Sequence, residues 1–170
     1  MFDALLLERD GVLDGQLWRL WSGHLLHLDA PHAALNLAAM AVLAAIAWRI
    51  RQLGALLRIT PVMMPLVSAS LLLLAPDLHW YAGLSGLLHG WAAWLLVRHG
   101  GAVMWAGLVL IALKLAWGQM MPAAGSAAFP VIHLAHLVGA CAGLLLAVPV
   151  RPRPGRTQRD RRAPPVAGGR

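Results

Sequence analysis

Charge is scarce in this chain, and acidic charge is scarcest: 170 residues hold 14 Lys and Arg but only 7 Asp and Glu. A soluble domain carries about a quarter charged residues, whereas here 12% are charged and 59% are hydrophobic. One short domain cannot turn that much apolar surface inward, and a lipid-facing exterior accounts for it. Cysteine is nearly absent. Cys141 alone excludes an internal disulfide and a cysteine-based metal cluster, and in its apolar run it is expected to pack. The first ten residues do not read as a secretory leader, because their apolar stretch is too short and acids flank it.

The formal net charge of +7 does not point to nucleic acid, because seven of the fourteen basic residues crowd into the last twenty positions. Basic residues beside an apolar segment set membrane topology or meet anionic lipid. Five apolar runs are long enough to cross a bilayer, near 31–48, 59–75, 80–97, 101–120 and 131–149. The expected fold is therefore an all-α integral membrane bundle. It divides into an outer loop segment (1–30), a transmembrane domain (31–150) and a basic, disordered cytoplasmic tail (151–170). Arg49, Arg51 and Arg58, then Arg98, then the tail fall on one side under alternate crossing, and the positive-inside rule makes that side cytoplasmic. Residues 1–30 then lie outside with no span before them, so an N-terminal span missing from the assigned start is expected.

Polar side chains within a span are costly and are functional candidates by default. Asn36, Ser85 and His136 each fall five or six residues from the outer end of their expected span. At 1.5 Å per residue, that is a common depth of roughly 8–9 Å. A serine hydroxyl becomes a nucleophile when a base takes its proton, and histidine is the usual base. The tetrahedral intermediate needs donors, which the Asn36 amide, the His32 ring and the Ser85 backbone N–H can supply. No acid lies within any span, so a Ser–His dyad is expected rather than a triad. Glycines at Gly86 and Gly90, and at Gly139 and Gly143, let the two helices approach closely, and Gly83 frees the backbone before the serine. His133 is read as structural. Lys114 is read as snorkelling outward without a role, and the tryptophans mostly as interfacial anchors.

These residues carry a resemblance to the rhomboid family of intramembrane serine proteases. Gly83-Leu84-Ser85-Gly86 resembles the family's nucleophile motif. Ala135-His136-Leu137-Val138-Gly139, with Gly143 beyond, resembles its base-histidine motif, and His32 with Asn36 its oxyanion motif. Trp18-Arg19 and His27 are similar to features of its first outer loop. Many rhomboids have a tyrosine four residues after the serine that packs on the base, where this chain has His89. The short chain and the Gly83–Gly90 stretch resemble the rhombosortase branch. That likeness implies a transmembrane protein substrate carrying a C-terminal Gly-Gly sorting tail, in a bacterial inner membrane, with the site opening to the periplasm. No cofactor and no metal are implied, and the partners are substrate and membrane lipids, not nucleic acid. Two other readings remain at this level: a catalytically inactive rhomboid-like binding protein, and a metal-binding membrane protein using His24, His27, His32, His89, His133 and His136.

Overall fold

Asp29 starts the first long helix, its carboxylate accepting the His32 backbone N–H at 2.6 Å, with a proline in the first turn. The computed structural model describes residues 3–27, 29–120 and 130–148. The described elements are β1 (Leu7–Glu8), α1 (Arg9–Leu13), α2 (Arg19–Ser22), α3 (Ala30–Arg49), α4 (Leu53–Leu74), β2 (Trp80–Tyr81), α5 (Ser85–His99), α6 (Gly101–Met120) and α7 (Pro130–Ala147), with short 3₁₀ turns at Asp3–Leu5 and Gly23–Leu25. The basic tail and the connection between α6 and α7 lie outside the described residues.

Helices α3 and α4 are each long and apolar enough to cross a bilayer, and α6 and α7 contain the shorter apolar stretches Gly101–Trp117 and His133–Ala147. Large apolar side chains such as Leu35, Val42, Trp48, Leu73, Trp105, Leu110 and Trp117 stand exposed along these helices, too many for a surface that meets only water. Cys141, expected to pack, is exposed on α7. Trp91 and Trp94 depart from the expected anchoring role: both are buried in the core, and Trp91 donates to the Thr60 hydroxyl.

The largest difference from the sequence reading is in the third expected span. Residues 80–84 do not begin a helix. Trp80 and Tyr81 pair antiparallel with Leu7 and Glu8, and α5 begins at Ser85 itself with 15 residues. At 1.5 Å per residue it is about 22 Å long, shorter than the roughly 30 Å hydrocarbon core. The serine therefore sits at a helix N-terminus rather than a turn and a half inside one.

The segment before α3 is folded onto the bundle. Pro65 has no N–H to give to the Pro61 carbonyl, and the Trp21 indole donates to that carbonyl at 2.8 Å. His24 Nε2 lies 3.0 Å from both the Met64 carbonyl and the Ser68 hydroxyl. Pro61, Met64 and Ser68 lie on one face of α4, and the carbonyl that Pro65 leaves without a donor is one of the three acceptors that hold this loop. At the end of α4 the Arg9 guanidinium donates to the Leu72 carbonyl, in the last turn where intrahelical partners run out, and to the Ala75 and Leu78 carbonyls beyond it. Arg19 is buried, bonding the Asp3 and Leu6 carbonyls and Gln16 and pairing with Glu8 at 3.4 Å.

Helices α5 and α7 form the closest contact in the bundle. A Cβ at Gly139 would collide with the Gly86 carbonyl, one at Gly143 with the Gly90 carbonyl, and one at Gly86 would stand 2.9 Å from the Ala135 carbonyl. Each helix fits its glycines against the backbone of the other, and no larger residue permits that approach.

Candidate active site

The turn before α5 is held from two directions. Gly83 has φ +151°, a conformation that favours glycine. Its N–H donates to the Gly23 carbonyl at 3.0 Å, and its carbonyl accepts from the Tyr81 hydroxyl at 2.8 Å. Gly23 also lies against Leu7, where a Cβ would come within 2.8 Å of the Leu7 Cβ. The first loop thus fixes the backbone that delivers Ser85.

Across the glycine contact, His136 Nε2 lies 2.9 Å from Ser85 Oγ. When that nitrogen carries the lone pair, the hydroxyl donates to it. No carboxylate bonds to His136 among the described residues. Two histidines flank its ring instead. His89 stacks on it with centroids 4.1 Å apart and planes 21° apart, and His133 meets it edge-on at 6.3 Å. His89 is fixed in turn, because its Nδ1 is 2.7 Å from the Ser85 carbonyl, which can only accept. Its Nε2 therefore carries a lone pair in the neutral ring, and the Lys114 ammonium lies 2.8 Å from it. The outward-snorkelling reading of Lys114 is thus corrected: the side chain turns to the site.

Asn36 is buried on α3, which packs against α5, and its Nδ2 has no partner. A buried amide N–H without an acceptor is costly unless a ligand supplies one. His32 is not joined to Ser85 or His136 by any hydrogen bond among the described residues. Its ring lies edge-on to His27, with centroids 5.8 Å apart. Of the six histidines considered as metal ligands, His27 and His32 form one edge-on pair, His89 and His133 both flank His136, and His24 stands against Tyr81. Among the described residues, no group of three or more His, Cys, Asp or Glu could hold a metal ion.

Sequence reasoning missed Tyr81, the structural part of His24, and Lys114. Tyr81 is the single tyrosine of the chain and stands four residues before Ser85, a signal that was available. His24 is buried edge-on to Tyr81, with centroids 5.9 Å apart. Ser68 commits its proton to the Leu20 carbonyl, so His24 donates through Nε2, and burial lowers it to about 4.

A stability prediction follows from that buried imidazole. Unfolded, it titrates near 6.5. Between about 6.5 and 4 the unfolded chain takes up a proton that the folded one refuses. The contribution is complete above 6.5 and declines as the pH falls, by up to about 3 kcal/mol. The melting temperature in detergent is expected to drop across that window. His24→Gln, which keeps a donor but cannot titrate, should flatten the slope. A slope unchanged by the substitution would remove His24 as its source.

Lipid-compatible helices, a loop folded onto the bundle and a serine–histidine contact at the seam of two glycine-faced helices define a helical membrane protein. A rhomboid-domain model matches residues 14–153, and the chain belongs to the rhomboid family. Members of that family are typically intramembrane serine proteases, though inactive members exist. No curated protein matches the chain.

Proposed function

We propose that this protein is an active intramembrane serine protease in which Ser85 is the nucleophile and His136 the general base. The observation that carries the reading is the 2.9 Å separation of Ser85 Oγ and His136 Nε2, within the range for a nucleophile and its base. Oγ attacks the carbonyl carbon of a peptide bond while its proton passes to Nε2. The tetrahedral oxyanion takes hydrogen bonds from the Asn36 amide and the Ser85 backbone N–H, which is free in the first turn of α5. His136 then gives its proton to the leaving amine as the C–N bond breaks, forming an acyl-enzyme. It next deprotonates the water that releases the acid. His32, without a bond to the pair, has a supporting part at the outer end of α3.

Five helices cross the membrane in this reading, α5 with the chain before it re-entering from the outer face. The arginines place the opposite ends in the cytoplasm, and the site opens to the periplasmic side of a bacterial inner membrane. The substrate is a transmembrane protein. His89 in place of the usual tyrosine, together with the Gly83–Gly90 stretch, favours a rhombosortase-like substrate with a Gly-Gly sorting tail near its C-terminus.

One labelling experiment tests both nucleophile and orientation. A membrane-impermeant, serine-directed fluorophosphonate is expected to label spheroplasts expressing the wild-type chain and to leave Ser85→Ala unlabelled. Equal labelling of Ser85→Ala would remove Ser85 as the nucleophile. Labelling that appears only after permeabilisation would invert the topology.

A further inference from the structure

An ammonium group within an apolar helix is expensive and seeks a partner. The described part of α6 carries one basic residue, Lys114, and among the described residues its hydrogen-bond partner is His89. The approach is built into the packing. Helices α5 and α6 are consecutive and antiparallel. Gly107 faces Leu96 so closely that a Cβ there would stand 3.1 Å from the Leu96 Cγ. Two turns along α6 from Gly107 is Lys114, and two turns back along α5 from Leu96 is His89. Residues seven apart share a helix face, so the seam that begins at Gly107 and Leu96 arrives at Lys114 and His89.

The hydrogen bonds then fix a protonation state. His89 Nδ1 must carry a proton, since it faces the Ser85 carbonyl. A Lys114 N–H donated to Nε2 occupies the lone pair that a second proton would need. We infer that Lys114 is a positioning residue that holds His89 as a neutral, oriented imidazole, so that the face of a neutral ring lies against His136 during turnover and the positive charge stays on the Lys114 ammonium rather than on the stacked ring. The reason lies in the geometry of the stack. His136 becomes an imidazolium each time it takes the serine proton, and at 4.1 Å between ring centroids a cationic His89 would oppose that charge directly. A neutral ring instead offers the π face that attracts a cation. The titratable and charged groups around the stack are His32 from α3, Lys114 from α6, and His133 and His136 from α7. Lys114 does not touch the reacting atoms and acts through His89.

The inference rests on the Ser85–His136 reading, and the test separates the two. Membranes carrying wild type, Ser85→Ala, Lys114→Met, Lys114→Gln, His89→Tyr and the His89→Tyr/Lys114→Met double variant are assayed for cleavage of a transmembrane substrate, with melting temperatures measured in parallel. Lys114→Met keeps the apolar stem and loses the donor. It should lower kcat by roughly ten- to a hundredfold, as loss of a charge-assisted hydrogen bond does, with KM and melting temperature unchanged. Lys114→Gln, which keeps an N–H, should recover part of the loss. In the His89→Tyr background there is no Nε2 to hold, so Lys114→Met should have little further effect. Wild-type turnover in Lys114→Met, or an equal loss in both backgrounds, overturns the inference while leaving the dyad intact. Full cleavage by Ser85→Ala overturns the dyad reading itself.

Discussion

Ser85→Ala, His136→Ala and the double variant are expected to fall to one common residual rate, roughly four orders of magnitude or more below wild type. In the proposed dyad the nucleophile and its base act as a unit: without the imidazole the hydroxyl keeps its proton, and without the hydroxyl the imidazole has nothing to activate. Their 2.9 Å contact across α5 and α7 is the geometric basis for that non-additivity. Asn36→Ala should be milder, roughly 10–1000-fold, because the amide is one oxyanion donor among several. The measurement is cleavage of a transmembrane substrate in membranes where every variant inserts and accumulates equally. Two single losses that multiply in the double variant would mean that the residues act independently, and the dyad would have to be abandoned.

Gly139→Ala should be strongly damaging for a change of one methyl group. Its Cβ would collide with the Gly86 carbonyl, and neither group can move without separating two helix backbones. Overpacking a rigid contact typically destabilises by about 1–3 kcal/mol and can exceed that. Because α5 carries Ser85 and α7 carries His136, the separation that relieves the clash also breaks the 2.9 Å contact. Activity should therefore vanish well before the protein unfolds. Gly54→Ala is the natural comparison. It lies in α4 with nothing within 4 Å of its would-be Cβ, and alanine there should leave melting unchanged or raise it slightly. Equal melting temperatures and equal cleavage for the two variants would show that the glycine contact does not set the helix separation.

Much of the architecture is legible in the chain without coordinates, because its signals are local. Apolar runs set where helices form, since in lipid each backbone N–H needs a partner within its own segment. Glycines four apart mark the faces that pack closely. Serine, histidine and asparagine stand out because polar atoms are expensive among apolar neighbours. What stayed hidden was decided by pairings across large separations. Helix α5 begins at Ser85 rather than near Trp80 because Leu7 and Glu8 take Tyr81 and Trp80 into a strand pair and Gly23 accepts the Gly83 N–H. None of these partners is near in sequence. The Pro61 carbonyl, which Pro65 has no N–H to reach, finds its donor in Trp21, forty residues away. Lys114 reads as a snorkelling side chain because its distance from the helix end allows it. Only the antiparallel register of α5 and α6 turns it onto His89. By itself, then, the sequence determined a lipid-embedded helical chain and the residue types of its site. The tertiary structure decided where the helix that carries Ser85 starts and which groups flank His136. Composition and periodicity act over one or two helical turns, whereas side-chain hydrogen bonds and backbone contacts select partners only once the helices are packed.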